Sequence, residues 1–282
     1  MTLLSYVRAH SVAEAVFLLN EPPYRSRPLA GGTDLLIQIR RGNNSFDRVV
    51  DITRIPELRE IQVRPDQTVV LGAAVRVAEI LDHEKLVEKA PLLAQACAHF
   101  GGPQIRNLAT IGGNVINQAA CADLLPVLVC LDAQAVVASP EGEFSLPVAG
   151  LIAHPFPRGR LVRTFTFSLP PQASRSVYLR LARRQTLATA RLSLAALGRQ
   201  SPDGTIQDAR LVPGAVFARV RRISPVEALL VGQHPGDELF EMAEKKMIEL
   251  YLAESGQRWS AFYKEAVLYS FLHQALRAIY AN

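Results

Sequence analysis

Apolar residues recur along this chain first with a helical and then with an extended period. Ala15, Val16, Leu18 and Leu19 form a helical stripe, and Ser11-Val12-Ala13-Glu14 ahead of them sets a hydroxyl and a carboxylate three apart, the spacing of a capping box. Pro28-Leu29-Ala30 predicts a short buried strand that runs into a glycine turn, the apolar residues 35–39 leave that turn, and residues 48–52 predict another strand. These segments describe a small α/β unit whose loop faces a ligand. From about Glu60 the pattern changes: residues 68–72 alternate as a strand, and Val77, Ile80, Leu81, Leu86 and Val87 mark helical sequence interrupted by Asp82-His83. Residues 91–99 predict a helix with Leu92, Leu93, Ala96 and Cys97 on one face. Residues 123–131 predict another, with Pro126 in its first turn, where a missing N–H costs little.

Beyond it, residues 135–138 predict a strand, 140–143 a turn, 154–159 a loop and 161–169 a strand stopped by Pro170-Pro171. That diproline divides the chain into residues 1–172 and 173–282. In the second part, residues 178–197 and 209–220 read as strands about the turn Ser201-Pro202-Asp203-Gly204. From Glu238 two long amphipathic helices follow, separated by Ser255-Gly256. The fold class this order predicts is α+β.

Composition narrows the function. A chain of 282 residues that is 49% hydrophobic buries a substantial core and suits two compact domains. No apolar run reaches the roughly 20 residues of a membrane span, and the N-terminus does not read as a signal peptide. Cys97, Cys121 and Cys130 leave an odd thiol and form no CxxC unit, so neither a disulfide framework nor a zinc knuckle is expected and a cytoplasmic location fits best. The six histidines show no HxxxH or HxH spacing, and no metal site is expected. A net charge of +5 with arginine clusters could serve nucleic acid, but no aromatic platform or helix-turn-helix pattern accompanies it, and a modest positive charge equally suits an anionic dinucleotide or an acidic partner.

Two glycine turns about eighty residues apart carry the candidate chemistry: Gly31-Gly32-Thr33-Asp34 and Thr110-Ile111-Gly112-Gly113-Asn114. Paired glycines beside a hydroxyl leave backbone N–H groups able to converge on phosphate oxygens. Each turn taken alone is equally an ordinary structural turn. Neither Gly-x-Gly-x-x-Gly nor Gly-Lys-Ser/Thr is present, so a dinucleotide fold of the usual type and a P-loop are unsupported. No nucleophile–base arrangement stands out, and no catalytic residue is assigned.

The first turn, with Val49-Val50-Asp51-Ile52 and Ile55-Pro56-Glu57-Leu58, resembles the FAD-binding subunits of the molybdenum hydroxylases, the xanthine dehydrogenase and carbon monoxide dehydrogenase flavoproteins. The second turn, within Pro103-Gln104-Ile105-Arg106-Asn107-Leu108-Ala109-Thr110-Ile111-Gly112-Gly113-Asn114 and followed by Asp123-Leu124-Leu125-Pro126, is similar to that family's most specific signature. The resemblance implies a two-subdomain FAD-binding domain of the vanillyl-alcohol-oxidase type, subdomains about 1–56 and 57–172, then a smaller domain of antiparallel strands and helices. It implies that Leu29, Ala30, Gly31, Gly32, Thr33, Asp34 and Leu35 contact FAD, and that Thr110, Gly112, Gly113, Asn114 and Asn117 meet it from the other subdomain. By the same resemblance Asp123 makes a polar contact with the adenosine half, Phe100 packs on the flavin and Arg180 stands where the family usually has lysine. Asp123 reads equally as a helix N-cap, and Phe100 as a core aromatic. Ala188 stands where an aspartate is common, and Arg183-Arg184 follow Arg180.

The partners implied are a molybdenum-cofactor large subunit and a small subunit with [2Fe–2S] clusters, with electrons passing to NAD or another acceptor. Alternatives left open by the residues are a free-standing FAD-dependent oxidoreductase and a subunit that has lost its flavin.

Overall fold

The computed structural model describes residues 5–42, 45–182, 189–255 and 261–281. In chain order the elements are β1 (Ser5–Arg8), α1 (Val12–Asn20), β2 (Ser26–Leu29), α2 (Leu35–Arg40), β3 (Arg48–Asp51), β4 (Ile61–Val63) and β5 (Thr68–Gly72). Helices α3 (Val77–Asp82), α4 (Glu84–Lys89), α5 (Pro91–His99), α6 (Pro103–Arg106), α7 (Ile111–Asn117) and α8 (Leu124–Cys130) follow. Then come β6 (Gln134–Ser139), β7 (Gly142–Pro147), α9 (Val148–Leu151) and β8 (Leu161–Ser168). The last are β9 (Arg175–Ala182), β10 (Ala190–Gln200), β11 (Ile206–Gly214), α10 (Ser224–Leu230), α11 (Asp237–Ser255) and α12 (Ala261–Tyr280). The mixture is α+β, as expected.

Packing divides these elements into two units, and the division is not one cut in sequence. The first unit holds residues 1–87, 102–119 and 132–169; the second holds 88–101, 120–131 and 170–282. Helices α5 and α8 thus pack with the C-terminal sheet although they precede the diproline.

The first unit has two sheets. One is parallel, in the order β1-β3-β2, and the other is antiparallel, in the order β4-β5-β8-β6-β7. Helix α1 forms where the spacing predicts it: the Ser11 hydroxyl accepts from the Glu14 amide at 3.1 Å. The Glu14 carboxylate reaches back one residue further than a capping box requires, to the His10 amide at 2.7 Å. Val12, Ala15, Val16 and Leu19 on this helix are buried with Val50, Ile52, Ile55 and Leu58, each of the larger side chains contributing about 1.5–3 kcal/mol of burial.

The second unit is an antiparallel sheet, β11-β10-β9, covered by α10, α11 and α12 around Leu192, Leu194, Leu211, Met247, Leu272 and Leu276. Two expectations are corrected here. Residues 178–197 fall on two antiparallel strands, β9 and β10, because alternation continues through both arms and does not register the reversal between them. Residues 209–220 remain extended only to Gly214: Pro213 has no N–H, and Ala215 takes a φ of 58° that turns the chain away. The interruption expected at Asp82-His83 is present: the extended backbone of His83 separates α3 from α4 while its Nδ1 accepts from the Leu86 amide. Among the described residues no helix is long and apolar enough to cross a membrane.

Candidate functional site

The parallel sheet positions the first glycine turn. Arg8, Asp51 and Leu29 lie in register at the carboxyl ends of β1, β3 and β2, the edge where ligands gather in open α/β sheets. The chain leaves β2 there and turns at Gly32, whose φ of +69° lies in the left-handed region that glycine adopts without strain. The Gly32 carbonyl accepts from the Leu36 amide at 3.0 Å and the Asp34 carbonyl from the Gln38 amide at 3.1 Å, which starts α2. Among the described residues the amides of Gly31, Gly32, Thr33, Asp34 and Leu35 meet no hydrogen-bond acceptor. Five consecutive backbone donors, with the Thr33 hydroxyl beside them, form a donor set matched to the oxygens of a diphosphate.

The second turn lies against the first. A Cβ built on Gly31 would sit 2.6 Å from the Leu108 carbonyl carbon and 3.0 Å from the Ala109 Cα, so the backbones meet two residues before Thr110. The absence of a side chain at Gly31 is what permits that approach.

Here the expectation of bare donors in both turns is corrected. The Ile111 amide donates to the Val75 carbonyl at 3.0 Å, Gly112 to Ala73 at 2.9 Å and Asn114 to Thr110 at 3.0 Å. Gly113 donates to the Thr110 hydroxyl at 3.1 Å, so this buried threonine is the N-cap of α7. A Cβ on Gly112 would lie 2.6 Å from the Ala73 oxygen. The second turn is therefore a frame, closed on the end of β5, and its amides are already satisfied. Asn114 is half-buried in the first turn of α7, and Asn117 is exposed at its last position.

Beside the first turn, Asp51 is surrounded by donors. Its carboxylate accepts from the Tyr6 hydroxyl, from Arg8 Nε at 3.1 Å, and from the Thr53 amide and hydroxyl at 2.8 and 2.6 Å. Burial pushes its pKa up, but the bonds from Thr53, Tyr6 and Arg8 outweigh it and bring the value down to about 2. The negative charge at this sheet edge is thus neutralised locally.

Phe100, Asp123 and Arg180 belong to the second unit. Asp123 is the N-cap residue of α8 by position, but its side chain makes no cap bond. Its Oδ1 accepts instead from the Tyr178 hydroxyl and from Arg180 Nε, both at 2.8 Å. The two charged side chains are 8% and 5% exposed, so the structure joins two expected cofactor contacts as a buried ion pair. Burial raises the Asp123 pKa, and Arg180 opposes that rise. Burial first, then Asp123, pushes the Tyr178 hydroxyl well above its ordinary value. The Tyr178 amide donates to the side chain of Gln95 on α5 at 2.8 Å, which ties the middle of β9 to that helix. Phe100 is half-buried at the carboxyl end of α5. Tyr178, two positions before Arg180 in the segment that resembles the family, joins the site through its hydroxyl bond to Asp123.

Arg183, Arg184 and Ala188 lie outside the described residues. Cys97, Cys121 and Cys130 form no disulfide, and no group of three metal-ligating side chains occurs among the described residues.

Comparison with known proteins gives the family and the fold. Residues 2–166 match the model of the FAD binding domain in molybdopterin dehydrogenase, and residues 177–279 match that of the CO dehydrogenase flavoprotein C-terminal domain. The chain is 32% identical over 217 residues to the xanthine dehydrogenase FAD-binding subunit of Escherichia coli O157:H7, covering 74% of this chain and 73% of that one. It is 29% identical over 282 residues to the glyceraldehyde dehydrogenase medium chain of Sulfolobus acidocaldarius, covering 98% of each. Among solved structures it is similar to a chain of carbon monoxide dehydrogenase from Hydrogenophaga pseudoflava, with a TM-score of 0.91 and 26% identity over 99% of this chain and 98% of that one.

Proposed function

This chain belongs to the family of FAD-binding flavoproteins of the molybdopterin dehydrogenases, and from that membership we propose that it is the electron-transfer subunit of a molybdenum hydroxylase complex. It is an oxidoreductase component with FAD as its cofactor. The observation that carries the reading is the run of five amides from Gly31 to Leu35, at the carboxyl edge of a parallel sheet, that meet no acceptor among the described residues. A diphosphate supplies the acceptors those donors lack.

Gly31, Gly32, Thr33, Asp34 and Leu35 hold the diphosphate in this reading, with Leu29 and Ala30 leading into the turn. Thr110, Gly112 and Gly113 keep α7 closed on β5, so that Leu108 and Ala109 back the first turn. Asn114 and Asn117 offer side-chain amides from the same helix. Phe100, Asp123 and Arg180 are assigned to the cofactor by family resemblance, with Asp123 and Tyr178 orienting the Arg180 guanidinium. Bound FAD supplies the exchange between one-electron and two-electron carriers that links [2Fe–2S] clusters to NAD or another acceptor. Residues 1–172 carry flavin binding, residues 173–282 form the C-terminal flavoprotein domain, and the complex is cytoplasmic.

Co-expression with the molybdenum and iron–sulfur subunits tests the proposal. Chemical reduction of the clusters should bleach the flavin absorbance in the complex, whereas the chain alone should turn over no small substrate. A flavin that stays oxidised beside reduced clusters, or turnover by the isolated chain, would overturn it.

A further inference from the structure

A groove in the first unit lies apart from the residues assigned to FAD. It runs between α1 and the turn from β6 to β7 and encloses about 750 Å³. Val12, Val16, Phe17, Ala138 and Pro140 give it an apolar floor, and Phe17 is 65% exposed. An aromatic ring left in water beside other apolar side chains is the kind of anchor that buried interfaces use.

The polar lining is nearly all committed inward. The Asn20 amide donates to the Val16 and Gly159 carbonyls at 2.7 and 2.8 Å, and the Ser139 hydroxyl to the Gly142 carbonyl at 2.9 Å. Three carboxylates and one guanidinium line the groove. Glu21 pairs with Arg48 at 2.5 Å, and Glu143 with Arg163 at 2.9 Å. Glu57 is left. It is half-buried and has no hydrogen-bond or ion-pair partner among the described residues. A chain of net charge +5 thus presents an uncompensated negative charge within an apolar recess.

We propose that this groove docks a segment of another subunit of the complex, one in which a lysine or arginine is flanked by apolar side chains. The cation pairs with Glu57 and an apolar neighbour covers Phe17. Charge complementarity selects the occupant: an acidic or purely apolar segment would leave the Glu57 carboxylate desolvated and unpaired, which opposes binding. The inference rests on the reading of this chain as one subunit of a larger enzyme.

The test uses the full chain co-expressed with the molybdenum and iron–sulfur subunits, purified through a tag on this chain, with subunit ratio and FAD per chain both measured. Glu57→Arg and Phe17→Asp should each lower partner recovery by about tenfold or more, the size of one central interface contact, with flavin content unchanged. Glu57→Gln should lose less and should flatten the salt dependence of assembly. Wild-type recovery by both Glu57→Arg and Phe17→Asp overturns the docking proposal alone. So does loss of self-association in Phe17→Asp with partner recovery intact, which would give the groove to a second copy. A wild-type chain that retains FAD but recovers neither subunit overturns the docking and the assignment to a complex together.

Discussion

Replacing Gly31 by alanine strikes the point where the two glycine turns meet. The new methyl carbon would lie 2.6 Å from the Leu108 carbonyl carbon, roughly 1 Å inside the separation of about 3.5–4.0 Å at which carbon atoms rest. The obstacle is backbone, so no side-chain rotation relieves it, and the turn must move away from residues 108–109. Overpacking of this kind costs about 1–3 kcal/mol, and a backbone obstacle places Gly31→Ala near the upper end. If the strain is relieved by displacing the turn, the five amides move with it, and about 3 kcal/mol corresponds to a loss of roughly a hundredfold in FAD affinity. Gly113→Ala is the matched control. Its Cβ would meet only the Thr110 hydroxyl oxygen, at 3.0 Å, and its amide already has an acceptor. Titration of apo protein with FAD, followed by flavin fluorescence, should show a large loss for Gly31→Ala and a small one for Gly113→Ala. Equal affinities in the two variants, or unaltered binding by Gly31→Ala, would refute the reasoning.

Arg180→Met should destabilise the second unit by about 3–5 kcal/mol in denaturant unfolding, because it leaves the Asp123 carboxylate buried without its cation; a loss below about 1 kcal/mol would contradict the buried pair. Asp51 has a folded pKa of about 2 against an ordinary value of 3.8, so its ionised form stabilises the fold above pH 4 and loses that contribution as the pH falls from 4 towards 2. Wild type should therefore exceed Asp51→Asn by roughly 2 kcal/mol at neutral pH, with the gap closing through that window; a gap constant with pH would count against it. Gly198→Ala would set a methyl 2.5 Å from the Tyr280 ring carbon Cζ and 2.8 Å from Ile279 Cγ2. It should lower the melting temperature while leaving FAD per folded chain unchanged, and a selective loss of flavin would contradict its purely structural place.

Local rules carried the sequence reading a long way. Helix α1 is legible because its cap and its apolar stripe agree, and β2, β3, β5 and α5 follow the periodicity that predicts them. The errors arise where a non-local event decides. Two strands of like pattern read as one, because the reversal between β9 and β10 leaves no mark in the alternation. The glycine turns look alike in sequence and differ in the structure, because Ala73 and Val75, just after β5, and Thr110 supply acceptors to one, while among the described residues nothing supplies them to the other. Asp123 could be named from the family motif, but its commitment to Tyr178 and Arg180 depends on strand β9 arriving from 55 residues away. The split of α5 and α8 from their sequence neighbours has the same origin, since one-dimensional spacing carries no record of which sheet a helix covers.

The central claim is that the first glycine turn holds the diphosphate through amides that have no other acceptor among the described residues, while the second frames it. Amide hydrogen exchange, read residue by residue with and without saturating FAD, addresses that directly. The account predicts rapid exchange from Gly31 to Leu35 in the apo protein, strong protection there on FAD addition, and amides from Ile111 to Asn114 already protected before FAD is added. Exchange at Gly31 to Leu35 that FAD leaves unchanged, with new protection appearing only at Ile111 to Asn114, would contradict it.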